Sequence, residues 1–336
     1  MLPKIKTPKF WYPKPNAKPT ILEHLLSPLG HLYHLAHIIN YNITTPHKVD
    51  IPVICIGNIT AGGSGKTPAS IAIQQIIVES NLKQSPYFLT RGYSGSETLA
   101  RCITVHDDPK CTGDEPLILA KHNKTVVSRQ RHKGACIAKE TGADCIIMDD
   151  GFQNNTLKKD ISFLVINGAM GLGNQRLLPS GPLREPLSAA LKRTDAVIFI
   201  DSDQHNILNK IPKDIPVFKS SIHPCTLNTP KKDCHYIAFS GLAHNEKFHN
   251  TLKDNTFNII EFHNFADHYQ YKNHDIEKLL EKASKQSANL ITTEKDYIRI
   301  PEKYKKHITT LEITLKWEDQ FALEAFLKDA LNAFNP

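Results

Sequence analysis

The chain has 336 residues, of which 40% are hydrophobic and 22% are charged. This length and composition are typical of a globular protein of about two domains, and they argue against long disordered segments. The formal net charge of +7 favours an acidic partner, such as nucleic acid, an anionic membrane surface or a phosphorylated substrate. The seven cysteines include no C-x-x-C pair, which argues against a disulfide framework or a structural zinc site and indicates a reducing compartment.

The N-terminal segment concentrates positive charge and aromatic side chains. Its first twenty residues contain no acid and five lysines, which are Lys4, Lys6, Lys9, Lys14 and Lys18. Beside them, Phe10, Trp11 and Tyr12 form a cluster that suits the headgroup level of a bilayer. We expect residues 1–46 to combine this lead-in with a membrane-associated helix.

The segment from Ile21 to Ile43 has apolar residues at helical spacing. They recur every three or four residues, at Leu22, Leu25, Leu26, Leu29, Leu32, Tyr33, Ala36 and Ile39. The segment is too polar to be a clear membrane-spanning helix, which needs about 18 to 20 consecutive apolar residues, although a single N-terminal anchor that spans the bilayer stays an alternative to one that lies on it. Two interpretations stay open: an interfacial amphipathic helix on an anionic membrane surface, or a helix that packs on the protein's own core. The five lysines favour the membrane surface.

A glycine-rich stretch, GNITAGGSGKTP, occupies residues 57–68 between a predicted strand at Ile51–Ile56 and a predicted helix at Lys66–Glu79. This order is typical of a phosphate-binding loop, in which backbone N–H groups and the helix N-terminus surround the anion. Lys66 would contact the phosphates of a nucleoside triphosphate and Thr67 would ligate Mg²⁺. The nucleotide-binding residues predicted from this loop are Thr60, Ala61, Gly62, Gly63, Ser64, Gly65, Lys66 and Thr67. Thr60 replaces the first glycine of the usual pattern.

Short apolar runs and helical stretches alternate along the rest of the chain. Further strands are predicted at Tyr87–Thr90, Ile103–Val105, Thr125–Val127, Cys145–Met148, Ile161–Ile166, Ala196–Ile200, Tyr236–Ser240, Phe257–Phe262 and Asn289–Thr292. Further helices are predicted at Glu115–His122, Arg131–Thr141, Pro186–Lys192, Asn245–Leu252, Ile276–Lys285 and Trp317–Phe334. The pattern predicts an α/β protein: a P-loop NTPase-type domain with a parallel sheet at residues 47–225, then a smaller α/β domain at residues 226–336.

Two acidic motifs lie in the first of these domains. Asp149 and Asp150 follow an apolar strand, and adjacent carboxylates at that position favour a Mg²⁺ site near a phosphate loop, although Asp-Asp-Gly is also a common turn. Gly113-Asp114-Glu115-Pro116 is typical of a helix start, with Asp114 as its cap. By itself this second motif indicates no chemical role.

Three further segments carry charge in predicted loops. Asp267 and His268 are neighbours that could form a proton-transfer pair, although such pairs are more often structural. The segment TTEKD at residues 292–296 clusters charge at a strand end, where α/β sites usually lie, but a solvated loop explains it equally well. Arg184 lies in a loop stiffened by three prolines, where it would either clamp a phosphate or lie on a surface connector.

Together these motifs resemble one family, tetraacyldisaccharide 4'-kinase. The matching segments follow the family's order from about residue 22 to 297: GNITAGGSGKTP, LTRGYSG (89–95), GDEP (113–116), VVSRQR (126–131), DDGFQ (149–153), GLGNQRLLPSGPLREP (171–186), FADHY (265–269) and TTEKD (292–296). Thr60 in the phosphate loop is typical of this family. The segment ending in GPLREP is the most specific of them.

The resemblance implies transfer of the γ-phosphate of ATP, with Mg²⁺, to the 4'-hydroxyl of a tetraacylated glucosamine disaccharide 1-phosphate in lipid A biosynthesis. It places this activity at the cytoplasmic face of the bacterial inner membrane, with no nucleic-acid partner. Lys66 and Thr67 would hold phosphate and Mg²⁺, and Asp149 and Asp150 would organise the metal.

The remaining roles also follow from the resemblance. Asp114 would be the base for the sugar hydroxyl, assisted by His268 of the Asp267–His268 loop. Arg184, with Arg91 and Arg129, would contact phosphate on the nucleotide or the lipid. We expect base and histidine, on different domains, to meet only when the cleft closes, which would limit wasteful ATP hydrolysis.

The sequence departs from the family at two points. Asn154 follows DDGFQ, where the family commonly has His, and SGLAHNEKF near residue 240 lacks the proline of the family's AGIAxPxRF. Two other functions stay open: a non-catalytic NTP-binding switch or chaperone, and a soluble small-molecule P-loop kinase. A nucleic-acid-dependent ATPase is disfavoured because the lysines cluster beside an amphipathic helix.

Overall fold

Alternating strands and helices build two sheets. The computed structural model describes residues 7–14, 17–225, 230–242 and 245–334. Its strands are β1 Val53–Gly57, β2 Pro86–Thr90, β3 Arg101–Ile103, β4 Thr125–Val127, β5 Cys145–Asp149, β6 Ile161–Asn167, β7 Ala196–Ile200, β8 Val217–Pro224, β9 His235–Ser240, β10 Asn258–Asn264, β11 Asn289–Thr293, β12 Ile308–Leu311 and β13 Ile313–Trp317.

The helices cover the faces and ends of these sheets. They are α1 Ile21–Ile43, α2 Lys66–Glu79, α3 Pro109–Thr112, α4 Asp114–His122, α5 Arg131–Glu140, α6 Leu187–Leu191, α7 Asn245–Asp254, α8 Asn273–Lys285, α9 Glu294–Ile298, α10 Glu302–Lys305 and α11 Gln320–Asn332. Lys4 and Lys6 of the basic lead-in, and parts of the SGLAHNEKF segment and of the predicted domain boundary, lie outside the described residues.

The larger sheet has nine strands in the order β13-β8-β7-β6-β1-β5-β2-β4-β3. Its strands are parallel except at the edges, where β3 and β13 pair antiparallel with their neighbours. Residues of β1 alternate between two cores: Val53 and Cys55 pack on the side of α5 and α6, and Ile54 and Ile56 pack on the side of α2 and α11. Burial on both faces is typical of parallel sheets covered by helices. The predicted α/β fold with a parallel sheet is therefore confirmed.

The smaller sheet has four parallel strands in the order β10-β9-β11-β12. One of its cores contains aromatic side chains packed among aliphatic ones, and Phe239 lies edge-on to Tyr271 with ring centroids 5.4 Å apart. The chain then returns to the larger sheet through β13 and α11. This return was not predicted from the sequence, which assigned all residues after 225 to one domain.

Helix α1 spans the predicted residues and begins with a capping box. The Thr20 hydroxyl accepts from the backbone N–H of Glu23, while the Glu23 carboxylate accepts from the backbone N–H of Thr20 at 2.9 Å. Glu23 and Gly30 are the buried residues of the helix, and Gly30 packs against Leu177. Many apolar side chains of α1 are exposed, among them Leu25, Leu29, Leu32, Leu35 and Ile43. Among the described residues, no helix is long and apolar enough to cross a membrane.

Candidate active site

The phosphate loop follows β1 and ends at the first residue of α2, as predicted. Gly65 caps α2 with a left-handed φ of 91°, and a Cβ at this position would lie 2.6 Å from Ile200 Cδ1, so the loop needs glycine here. Thr60 fixes the start of the loop. The side-chain amide of Asn58 donates to the Thr60 carbonyl at 2.8 Å and to the Thr60 hydroxyl at 2.9 Å. Threonine thus supplies a side-chain contact that glycine could not.

The interior of the loop presents polar groups that have no protein partner. No described residue accepts a backbone hydrogen bond from Gly62, Gly63 or Ser64, and the buried Ser64 hydroxyl is likewise without one. The buried Ser64 hydroxyl is costly to leave unpaired unless a ligand satisfies it, whereas the N–H groups of the exposed Gly62 and Gly63 are open to solvent and to the same ligand. A phosphate is the anion that this arrangement suits. Ala61 differs, since its N–H donates to the Pro182 carbonyl at 2.8 Å and ties the loop to the GPLREP segment.

Asp149 ends β5 beside the start of α2. Its carboxylate is fully buried and accepts from Ser70 at 2.8 Å and from Thr67 at 3.3 Å. Burial, together with the charges of Glu115 and Asp150, raises the pKa of Asp149 to about 6. No described cationic side chain forms an ion pair with it. A buried carboxylate beside a threonine hydroxyl fits a hard divalent cation.

No three His, Cys, Asp or Glu side chains in the described ranges converge on a common metal position. Mg²⁺ does not need such a cluster, because it is usually held by one or two carboxylates, water and substrate phosphates. The donor set of Thr67 and Asp149 is therefore compatible with the predicted Mg²⁺ site.

Asp150 forms ion pairs with two cationic side chains of the site. Its Oδ1 lies 3.0 Å from Arg184 Nη1 and 3.7 Å from Lys66 Nζ. Burial raises the pKa of Asp150, but Lys66 and Arg184 outweigh this and hold it below the usual range. Lys66 and Arg184, which are 118 positions apart in the chain, thus meet at the mouth of the phosphate loop.

A polar network fixes the GPLREP segment behind Arg184. Gln153 accepts from Arg184 Nη1 at 3.0 Å and donates to the Asn58 carbonyl at 2.8 Å and to Glu185 at 2.9 Å. Glu185 is buried and receives Arg193 Nη2 at 2.6 Å. Arg184 is therefore fixed by Asp150 and Gln153 and does not lie on a surface connector.

Asp114 and His268 come together from the two sheets. Asp114 is the first residue of α4, and Gly113 before it has a φ of 89°, with Tyr93 O only 2.4 Å from where its Cβ would lie. His268 Nδ1 lies 3.1 Å from Asp114 Oδ2. His268 Nε2 lies 3.9 Å from Asp267 Oδ1, whose side chain is more exposed. The Asp267–His268 loop thus reaches the start of α4.

Helix α9, which begins within the TTEKD segment, and the residue that follows it supply two contacts that were not predicted. Lys295 Nζ lies 2.5 Å from Glu115 Oε1, and Arg299 Nε lies 2.8 Å from Asp114 Oδ2. The charge of Lys295 holds the pKa of Glu115 below its usual range. No motif in the sequence pointed to these contacts, since a solvated loop also explains the charges around Lys295 and Arg299 has no motif of its own.

Three residues considered in the sequence have other environments. Asn154 accepts from Thr156 N at 3.2 Å, so it stabilises a local turn. Arg129 is exposed and donates to the Gly95 carbonyl at 3.3 Å. Arg91, also exposed, follows β2 without a described contact to Lys66, Asp150 or Arg184.

Known proteins resemble this chain over nearly its whole length. The family model for tetraacyldisaccharide-1-P 4'-kinase, LpxK, matches residues 22–332. The tetraacyldisaccharide 4'-kinase of Paramagnetospirillum magneticum is 39% identical, over 94% of this chain and 95% of that protein. That of Rhodospirillum rubrum is 35% identical, over 96% and 97%.

A solved structure shows the same architecture. The crystal structure of LpxK from Aquifex aeolicus in complex with ATP superposes with a TM-score of 0.78 at 28% identity, covering 93% of this chain and all of that one. The fold, the phosphate loop and the sequence matches agree with one another, and the chain belongs to the tetraacyldisaccharide-1-P 4'-kinase family.

Proposed function

We propose that the chain transfers the γ-phosphate of ATP to the 4'-hydroxyl of a tetraacylated glucosamine disaccharide 1-phosphate, with Asp114 as the base. The contact of Asp114 with His268 carries the proposal. It joins a carboxylate on the phosphate-loop side to a histidine of the smaller sheet. The charges of Lys66 and Asp150 also act on the pKa of Glu115, the residue after Asp114, although the charge of Lys295 acts on it most.

Each side chain has a separate task in this reaction. The hydroxyl oxygen bonds to the γ-phosphorus as the bond to the bridging oxygen of ADP breaks, and the hydroxyl proton passes to the Asp114 carboxylate. Lys66 and Arg184 neutralise charge on the phosphates, which is the main requirement of phosphoryl transfer. Mg²⁺, held by Thr67 and Asp149 with Asp150 nearby, would supply further neutralisation. His268 orients Asp114 through the contact of its Nδ1 with Oδ2, and it helps Asp114 to hold the proton taken from the hydroxyl.

We further propose that the enzyme works on an anionic membrane surface, at the cytoplasmic face of the inner membrane. Support comes from α1, where Leu25 is 69% exposed and Leu32 is 62% exposed. Lys9, Lys14 and Lys18 precede this helix. An apolar face beside lysines favours binding to anionic lipid headgroups. The acylated substrate would then reach the site from the same surface.

A phosphate-transfer assay tests the proposal. The purified chain, radiolabelled ATP, Mg²⁺ and tetraacyldisaccharide 1-phosphate are combined in detergent micelles, and label on the lipid is measured. We expect transfer by the wild type and a loss of about a hundredfold or more in Asp114→Asn. Asp254→Asn, which removes an exposed carboxylate on α7, serves as the control and should behave as wild type.

The assay also separates the other functions. A folded, ATP-binding wild type that leaves the lipid unlabelled would contradict the proposal and favour the NTP-binding switch. Label on the lipid with full activity in Asp114→Asn would preserve the kinase but remove Asp114 as its base.

A further inference from the structure

Two consecutive acids at the start of α4 each pair with a cation, one within α9 and one directly after it. Asp114 is paired with Arg299, and Glu115 is paired with Lys295. Helix α9 follows β11 of the smaller sheet, whereas α4 lies between strands of the larger one. The proposed base is therefore contacted by the smaller sheet in two ways, through the His268 loop and through Arg299.

Arg299 is almost completely buried, with 1% of its side chain exposed. Besides Asp114, it contacts the Gly241 carbonyl at 3.2 Å and Asp296 Oδ1 at 3.3 Å, both through Nη1. Asp296 is itself fixed by the Tyr271 hydroxyl at 2.9 Å. The guanidinium is thus anchored at one end and directs its Nε–H towards Asp114.

Both donors reach the same oxygen of Asp114. His268 Nδ1 and Arg299 Nε lie 3.1 Å and 2.8 Å from Oδ2. No described residue hydrogen-bonds to the other oxygen, Oδ1. A carboxylate held at one oxygen by two donors has a fixed plane, so its free oxygen points in one direction.

We propose that Arg299 is a positioning residue for the phosphoryl transfer: by donating to Oδ2, it orients Asp114 so that Oδ1 accepts the proton of the substrate hydroxyl. This inference rests on the proposed role of Asp114. Arg299 does not touch the substrate and acts through the carboxylate. The proton leaves the hydroxyl for Oδ1, and Arg299 keeps all its protons.

The orientation of the Asp114 carboxylate and its ionised state both depend on the Arg299 guanidinium. A buried carboxylate without a cation would favour its protonated form, which could not accept a proton. Burial raises the pKa of Asp114, but the His268 hydrogen bond and the charge and hydrogen bond of Arg299 outweigh it and leave the pKa below its usual range. Lysine has a point charge and cannot reproduce the planar arrangement of Nε and Nη1 on two separate acceptors.

The test is a double-mutant cycle in the lipid-phosphorylation assay. We expect Arg299→Lys to lower kcat by about tenfold to a hundredfold, with the KM for ATP little changed, since the phosphate loop is not altered. In the Asp114→Asn background, the same substitution should have no further effect on the residual rate. Arg101→Lys, in a partly exposed ion pair with Glu97 and Asp107, is the control.

Arg299→Ala provides a second readout that does not depend on the lysine variant folding well. Added guanidinium should restore part of its kcat by occupying the space beside Asp114, and should do nothing for Asp114→Asn. ATP binding by each variant verifies that it is folded.

The outcomes distinguish this inference from the function on which it rests. If the wild type labels the lipid and Asp114→Asn does not, but Arg299→Lys has wild-type kcat, only the positioning role is overturned. A rate loss in Arg299→Lys that multiplies with the Asp114→Asn loss overturns it as well, because a merely structural effect would act independently of Asp114. A wild type that labels no lipid removes the proposed function itself.

Discussion

Arg184 forms a forked pair with Asp150, with Nη1 3.0 Å from Oδ1 and Nη2 3.4 Å from Oδ2. Lys66 approaches the same Oδ1 at 3.7 Å. One carboxylate therefore balances two cations at the mouth of the phosphate loop. Phosphates that enter the loop would share these cations with Asp150.

Arg184→Lys tests the importance of this forked geometry. Lysine keeps the charge but cannot contact both oxygens of Asp150 and Gln153 together. We expect kcat/KM for lipid phosphorylation to fall by about tenfold to a hundredfold, the cost of losing charge-assisted hydrogen bonds. Steady-state kinetics of the variant beside Arg101→Lys would measure it. Equal losses in the two variants would show that the effect is not specific to the site.

Most of the larger sheet could be predicted because its strands are continuous apolar runs. Strand β6, for example, is buried throughout, and four of its seven residues are β-branched or aromatic. Strand β8 was missed because its sequence, VFKSSIHP, is polar and half-buried and shows no regular alternation. Strand β13 was also missed, and a single sequence gives no signal that a terminal strand returns to a distant sheet.

The site likewise contains some features that the sequence could predict and others that it could not. The positions of Lys66, Thr67 and Asp149 could be predicted because each lies at the end of a strand or the start of a helix, where the local pattern is informative, and their roles stay a prediction. The contact between Asp114 and Arg299 joins residues 185 positions apart. Local periodicity cannot reveal such a pair, and Arg299 has no motif of its own. The domain limits also stay a prediction, with β13 and α11 now seen beside the larger sheet.

The partnership of His268 with Asp114 predicts different outcomes for two substitutions. Asparagine can place an amide near the Nδ1 position and tolerates the left-handed φ of 55° at residue 268, whereas alanine does neither well. We expect His268→Asn to retain more lipid-kinase activity than His268→Ala, which should lose about a hundredfold. ATP hydrolysis without lipid should be measured in parallel. Unchanged hydrolysis and turnover in His268→Ala would contradict both the pairing and the cleft-closure hypothesis.

Glu23 gives a prediction for stability and pH. Its buried carboxylate accepts from Thr20 and from Asn174 Nδ2 at 3.1 Å, and Arg176 Nε lies 3.5 Å away. Burial raises the pKa of Glu23, but these donors and the charge of Arg176 outweigh it, so the pKa lies below the ordinary value of 4.5. We expect Glu23→Gln to lower the free energy of unfolding by about 1–3 kcal/mol at pH 7.

The pH dependence of this difference follows from the direction of the pKa shift. A carboxyl with a lowered pKa in the folded state stabilises the protein above its unfolded pKa, and this contribution is lost as the pH falls through the folded pKa. Urea unfolding of wild type and Glu23→Gln should therefore differ most above the ordinary pKa of 4.5 and converge as the pH falls through the lower folded-state pKa of Glu23. Glu79→Gln, an exposed substitution on α2, is the control. A difference that is constant from pH 7 to pH 3 would contradict the ionic role.

The exposed face of α1 predicts binding to anionic membranes. Leu25, Leu32 and Ile39 are 69%, 62% and 51% exposed, so replacing all three by glutamine removes apolar surface without opening a cavity. We expect the triple variant to melt within a few degrees of wild type and to bind anionic vesicles at least about tenfold more weakly, as measured by co-sedimentation. Phe321→Gln, at an 85% exposed position on α11, should bind as wild type does.

High salt should weaken wild-type binding because Lys9, Lys14 and Lys18 contribute through charge. Undiminished vesicle binding by the triple variant would assign membrane contact to another surface.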